Sequence, residues 1–257
     1  MDAVFAVDGD RVETSKYAAG PWDATMQHGA APSSLMLHAA ENLPTAVPMR
    51  VVRITSELMK PVPVAPLTLK AHVVREGRKL QLCAISLLAD GVEVARGTVL
   101  KLRRADLGYD PAIAQPSLDL PLPDEGRARA TIGKNNPFLT GLSTAVVKGS
   151  FETTGPAACW FRADRPIVAG APISPAMRAV IAGDFCNGAS TPLPFGEWTF
   201  LNADLTISLA RDPVGEWILL DAETWLGPDG SGIAFARLGD TQGYFGRAIQ
   251  SVVLDRR

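Results

Sequence analysis

Pro32-Ser33-Ser34-Leu35-Met36-Leu37-His38-Ala39-Ala40-Glu41-Asn42-Leu43 places Leu35, Met36, Ala39, Ala40 and Leu43 at three- and four-residue spacing. That spacing predicts one buried helix, with Pro32 tolerated in its first turn. On either side the period changes to two. Residues 4–7 and 11–14 alternate around Asp8-Gly9, a dipeptide suited to the positive φ angles of a tight hairpin. Downstream, segments near 50–60, 66–76, 79–90 and 93–103 are β-rich, and Pro61-Val62-Pro63, Glu76-Gly77 and Asp90-Gly91 separate them with turn chemistry. The order is hairpin, helix, four strands.

The second half repeats that order. Segments near 144–152 and 157–163 are strand-like, Ser174-Pro175 caps a helix running through Met177, Val180 and Ile181 to about Phe185, and strands follow near 199–210, 216–226, 231–240 and 244–254. In register, Leu58-Met59-Lys60 precedes Leu209-Ala210-Arg211 by 151 residues (209 − 58), and Gly91 precedes Gly243 by 152 (243 − 91), a drift that reads as a one-residue loop indel. Such a repeat is a duplicated domain, because solenoid periods are roughly 20–50 residues. Residues 105–135, with Pro111, Pro116, Pro121 and Pro123 and little periodicity, read as a linker between a unit at 1–104 and a unit at 136–257. The predicted class is α+β. Each helix must bury its apolar side and each antiparallel sheet one of its faces, so the sheet is expected to wrap the helix.

The 257 residues are 47% hydrophobic and 20% charged, enough for a sizeable core and unlike disorder, collagen or coiled coil. With 25 Lys plus Arg against 27 Asp plus Glu there is no broad basic stripe to neutralise phosphates, which argues against nucleic acid as a partner. Cys83, Cys159 and Cys186 are too scattered for a disulfide framework and no C-x-x-C occurs, so no metal or other cofactor is implied. The N-terminus carries acid before any apolar stretch, and no run of ~18 apolar residues exists to span a bilayer, so the expected location is the cytoplasm.

Three stretches are the most specific: Ala182-Gly183-Asp184-Phe185-Cys186-Asn187-Gly188, Asn202-Ala203-Asp204-Leu205-Thr206-Ile207 and Gly246-Arg247-Ala248-Ile249-Gln250. With the duplicated helix-and-meander pattern, they make the chain resemble, over nearly its whole length, the double hot-dog type II acyl-CoA thioesterases and their thioesterase-like relatives. The resemblance implies a tandem hot-dog fold and a catalytic set made of an Asp ending the second helix, a hydroxyl residue two positions before a strand Asp, and a Gln on the last strand. Here those positions hold Asp184, Asn202 and Gln250, with Asp204 as the strand Asp; the family's His after that Asp is Leu205. The loop Gln27-His28-Gly29-Ala30 stands where hot-dog proteins present a Gly-rich loop to the thioester carbonyl, which makes Gly29 and His28 candidate oxyanion and substrate contacts, together with Asp204.

The residues also have readings of their own. Asp184 ends a helix, where the macrodipole disfavours an anion, so chemistry and not helix stability is expected to have placed it there as a base towards water. Removing that anion is then expected to leave stability unchanged or slightly raised. Gln250 shares a strand face with Ala248 and Val252, which predicts a buried amide that orients the attacking water. Asn202 and Asp204 are expected to share a polar face with Thr206 and Ser208. Three histidines, His28, His38 and His72, and no G-x-S-x-G elbow argue against a Ser-His-Asp triad, and His38 reads as core. Trp22, Trp160, Trp198, Trp217 and Trp225 read as packing anchors, while Arg103-Arg104 and Arg256-Arg257 are strand-end charges that could meet coenzyme A phosphates.

The leading expectation is hydrolysis of an acyl-CoA or acyl-carrier thioester by water. Two alternatives stand beside it: a non-catalytic acyl-thioester binder, and an enoyl-thioester hydratase, which pairs an Asp with a His and for which no matching His stands near Asp184 in the sequence. Hot-dog sheets associate edge to edge, so a compact tandem is expected, and a homo-oligomer of such tandems is compatible with it.

Overall fold

The computed structural model describes residues 2–108, 110, 113, 116–128, 136–149, 151 and 153–257. Parts of the expected linker, and residues 150 and 152 of the strand expected at 144–152, lie outside the described residues. The hairpin β1 (Phe5–Asp8) and β2 (Arg11–Thr14) turns through Gly9 at φ +61. The helix α1 (Ala30–Glu41) follows, then β3 (Met49–Leu58), β4 (Leu67–Glu76), β5 (Leu80–Ala89) and β6 (Val92–Arg103).

The second half contains β7 (Arg127–Ala128), β8 (Leu142–Lys148), β9 (Ala157–Ala163), α2 (Pro175–Gly183), a short α3 (Cys186–Ser190), β10 (Trp198–Asn202), β11 (Asp204–Leu209), β12 (Trp217–Leu226), β13 (Ser231–Asp240) and β14 (Gly243–Arg256). All described pairings between these strands are antiparallel, and they join into one 14-stranded sheet ordered β1-β2-β4-β5-β6-β3-β11-β14-β13-β12-β9-β8-β7, with β10 also on β14. Apart from β7, the second half runs through the order of the first in reverse, as two copies related by a two-fold axis must. The architecture is the tandem double hot-dog.

The axis lies at the seam between β3 and β11. Thr55 is paired there with Thr206, and the Thr206 hydroxyl donates to the Thr55 hydroxyl at 3.1 Å. These two residues are separated by the same offset of 151 (206 − 55) as Leu58 and Leu209. The offset holds through the meander: Thr55 opposes Thr98 as Thr206 opposes Ile249, and Ala89 opposes Val92 as Asp240 opposes Gly243. Gly243 therefore matches Val92 and not Gly91, so the one-residue drift expected from those glycines does not exist.

α1 is buried along its whole first two turns, from Ala30 to Leu37, because the sheet curls around it. Ser174 caps α2 by accepting the Met177 N–H at 3.1 Å, and Pro175 opens it. Both helices belong to one continuous core of buried residues from both halves. Trp160, Leu219 and Tyr244 alternate with core residues and face outward, where Leu118 and Leu120 of the expected linker cover them and the Trp160 indole donates to the Pro121 carbonyl at 2.9 Å. No helix among the described residues is long and apolar enough to cross a membrane.

The strand expected at 199–210 is broken at Ala203. Asn202 opposes Val252 while Thr206 opposes Ile249, so one extra residue lies between them. Such a bulge reverses the alternation of side chains. Phe200 and Asn202 point inward before it, and Leu205, Ile207 and Leu209 point inward after it. Asn202 thus does not share the face of Thr206 and Ser208.

Candidate active site

Gly183 brings the end of α2 hard against the sheet: a Cβ there would lie 2.3 Å from Ile207 Cδ1, so any larger residue would require the Ile207 side chain to shift. The next residue, Asp184, is carried into the interior and is 4% exposed. Its Oδ1 accepts hydrogen bonds from Asn202 Nδ2 at 3.0 Å and Gln250 Nε2 at 3.2 Å. Gln250 Nε2 also donates to the Asp184 carbonyl at 3.0 Å, and its Oε1 accepts the Asn187 N–H at 3.1 Å. Gln250 has no exposed surface, and its amide is committed within the protein.

The other carboxylate oxygen faces the first half of the chain. Asp184 Oδ2 lies 3.0 Å from His28 Nδ1. A Cβ on Gly29 would stand 2.8 and 2.9 Å from the two Asp184 oxygens, so glycine is what allows the start of α1 and the carboxylate to meet. The His28 ring lies between Phe138 and Phe185, with centroids 4.9 and 4.6 Å away, and the Ala30 N–H approaches the same Nδ1 at 3.2 Å. The sequence neighbourhood of Asp184 holds no histidine; the fold supplies one from the other half. The buried Cys186 thiol beside it is pushed well above its ordinary pKa, first by burial and then by the Asp184 charge.

Asp204 does not join this cluster. Turned by the bulge, its Oδ1 accepts the Ser251 N–H at 2.6 Å, and its carbonyl accepts from Asn202 Nδ2 at 3.3 Å. It straps the bulge that aims Asn202, and it is absent from the lining of the cleft described next. Asp204, expected to contact substrate, thus stands apart from the Asp184 cluster.

His28, Gly29, Asp184 and Asn202 line a cleft of about 970 Å³. Its more exposed walls hold Phe195 and Leu201, and Arg257 sits over Trp22 and Phe195 at 5.0 and 5.1 Å, where those two rings stack at 4.6 Å. Trp22 lines the cleft while also packing against the core, and Trp225 is 59% exposed, so the packing role expected of all five tryptophans fails for Trp225. His38 is only half-buried and meets Asn42 at 3.1 Å. Arg104 is held by Asp212 in an ion pair. Reading the sequence missed Trp22 and Phe195, although Gly20-Pro21-Trp22 marks a loop that exposes an aromatic ring.

A second cleft, of about 500 Å³, opens where the C-terminus of α1 meets the N-terminus of α2, and is lined by Glu41, Val51, Lys101, Arg104, Pro175 and Asp212. Burial pushes the Glu41 carboxyl up to about 7, against the opposing pull of the Ser174 hydrogen bond and of Lys101.

Family models match both halves. Residues 18–102 match the model described as the acyl-CoA thioesterase N-terminal domain, and residues 118–254 match its C-terminal domain. No curated protein matches significantly. Among solved structures, a hot-dog protein of unknown function from Alicyclobacillus acidocaldarius is 16% identical, with a TM-score of 0.77 over 98% of this chain and 95% of that one. The acyl-CoA thioesterase II TesB2 from Mycobacterium marinum is 12% identical, with a TM-score of 0.67 over 98% and 94%. A 12:0-ACP thioesterase from Umbellularia californica is 9% identical, with a TM-score of 0.53 over 96% and 93%. At these identities the likeness to solved structures concerns the fold alone.

Proposed function

Because the chain belongs to the acyl-CoA thioesterase family, we propose that it hydrolyses an acyl thioester by attack of water at the cleft where Asp184 meets the start of α1. The observation that carries this reading is the buried Asp184 carboxylate, held by Asn202 and Gln250 on one oxygen and set against Gly29 and His28 with the other, on the wall of a cleft. An isolated buried charge is strongly disfavoured, so a carboxylate kept there by two amides and an imidazole is a built centre. Asp184 is its negative pole and assists removal of a proton from water. Gln250 acts through Asp184, since its amide is spent on the carboxylate, the helix end and Asn187 and cannot reach the cleft. Asn202 is the amide with access to the cleft.

The backbone N–H groups at the start of α1 suit the oxyanion that forms when water adds to the thioester carbonyl. A thiolate leaves readily, so a positioned water, an oxyanion site and a dry cleft suffice. The substrate is an acyl group on coenzyme A; a phosphopantetheine carrier is the second form, in keeping with the shared fold of the 12:0-ACP thioesterase.

The hydratase reading gains one observation, the His28 contact with Asp184. Incubation with a panel of short, medium, long and aromatic acyl-CoAs plus a thiol reagent tests all three readings. Thiol release supports hydrolysis; addition of water to enoyl-CoAs with no thiol release would put the hydratase first; binding without either reaction would leave a binding module.

A further inference from the structure

We propose that His28 is the base that takes the proton from the attacking water, with Asp184 as the group that orients it and balances its charge. This rests on the hydrolytic reading above and changes which atom moves the proton. The Asp184 oxygens are already occupied: Oδ1 accepts two amide N–H groups and Oδ2 lies 3.0 Å from His28 Nδ1. Both carboxylate oxygens are thus engaged by protein groups, and the ring that touches Oδ2 is the one beside the cleft.

The tautomer follows from the two contacts at Nδ1. Asp184 Oδ2 at 3.0 Å can only accept there, whereas the Ala30 N–H at 3.2 Å can only donate, and a single ring nitrogen satisfies one of them at a time. A hydrogen bond to a carboxylate is about twice as strong as one between neutral groups, so the proton resides on Nδ1 and points at Asp184. Two consequences follow. Nε2 carries the lone pair, on a ring that is 10% exposed and lines the cleft. The Ala30 N–H loses its side-chain acceptor, and of the backbone at the start of α1 it is Gly29 that lines the cleft beside the ring.

The step then balances. The water oxygen bonds to the thioester carbon as His28 Nε2 takes its proton, and the carbonyl electrons move onto the carbonyl oxygen. When that oxyanion collapses, the C–S bond breaks and the imidazolium returns the proton to the departing sulfur, leaving a free thiol and a carboxylic acid. The competing role for His28 is that of a cap on α1, with Nδ1 accepting the Ala30 N–H. It would leave a nitrogen lone pair facing a carboxylate oxygen, which is repulsive.

The flat slot between Phe138 and Phe185 gives the test. In His28→Ala that slot has the shape of an imidazole ring, so added imidazole can occupy it, whereas His28→Gln keeps it filled. Thiol release is measured from the acyl-CoA that the wild type turns over best, with and without imidazole, beside thermal midpoints. The expected result is a loss in kcat of ~10²–10⁴-fold in both variants with KM little changed, and recovery of at least about tenfold by imidazole in His28→Ala alone. A folded His28→Ala or His28→Gln with wild-type kcat, or a folded His28→Ala that imidazole does not rescue, overturns the proposal and makes His28 a cap. Should His28→Ala not fold, the kcat of His28→Gln decides. A wild type that releases no thiol from any acyl-CoA sinks the hydrolytic reading itself, a result distinct from active His28 variants.

Discussion

Asn202 and Gln250 have counterparts 151 residues earlier, and both counterparts are valine, Val51 and Val99. Met36 packs against Gly97 in the first half where Gly183 packs against Ala248 in the second, so the position after each, Leu37 and Asp184, corresponds as well. Leu37, Val51 and Val99 are buried and apolar. One copy of the hot-dog unit therefore closes its core with hydrocarbon where the other holds a carboxylate and two amides. The apolar version needs no hydrogen bonds to be stable, while the polar version requires a partner for every buried atom. The frame does not need Asp184, Asn202 and Gln250 in order to fold, which supports the chemical role proposed for them. The helices differ in the same sense: α1 runs unbroken for 12 residues, whereas its counterpart breaks at Asp184 into 9 residues and then 5.

The largest effect that could break this contrast is in Asp184→Asn. Hydrolysis should fall by ~10²–10⁴-fold in single turnover. The thermal midpoint should fall too, reversing the sign drawn from the helix dipole. That dipole is worth about 0.3–1 kcal/mol, whereas hydrogen bonds to a charged group contribute about 1.5–3 kcal/mol, and the new side-chain NH₂ would face either the two amide donors of Asn202 and Gln250 or the His28 ring N–H. Full activity in this variant would erase the functional difference between the halves.

Gln250→Ala should lower kcat roughly tenfold or more, lower it more than it raises KM, and cost about 1–3 kcal/mol of stability, because the Asn187 N–H and the Asp184 carbonyl lose their partner. A folded variant with unchanged kcat would mark the amide as purely architectural. In the first half, Val51→Asn places an amide where Leu37 stands in the position of Asp184. It should destabilise by about 1–3 kcal/mol in a denaturant titration and add no hydrolysis; a stabilised protein would show that this position is as tolerant of polarity as its mate.

The smallest effect concerns Glu41, which should be silent in catalysis. Its folded pKa is raised from an ordinary value of 4.5 to about 7, so the unfolded chain binds fewer protons between these values and stability falls as pH rises through that window. Glu41→Gln should stabilise the protein by on the order of 1–3 kcal/mol at pH 8, less what solvent screening removes, and leave it unchanged near pH 4. Equal midpoint shifts at both pH values would sink the assignment.

Much of this was written in the residues. Helices and strands were legible because the period switches from about 3.6 to 2 at turn residues, and the burial of Gln250 was legible because Ala248 and Val252 flank it at strand spacing. The orientation of Asn202 was not, since a single extra residue at Ala203 inverts the alternation and alanine carries no signal for a bulge. Nor was the meeting of His28 with Asp184, which depends on how two distant helix ends face each other across the two-fold axis. The amides from β10 and β14 that hold Asp184 escaped a reading confined to its own helix.

The sharing of one centre between both halves sets a timetable for the newly made chain. His28 and Gly29 leave the ribosome well before Asp184, and Gln250, on β14, follows later still. At about 5–20 residues per second, synthesis separates these arrivals by many seconds. A nascent chain with the first unit complete has a wrapped helix and no charged centre. One that has just passed α2 has a carboxylate without the amide that secures it. On the proposed hydrolysis, competence comes with β14, and a chain truncated before Gln250 is expected to retain most of its secondary structure and none of its activity.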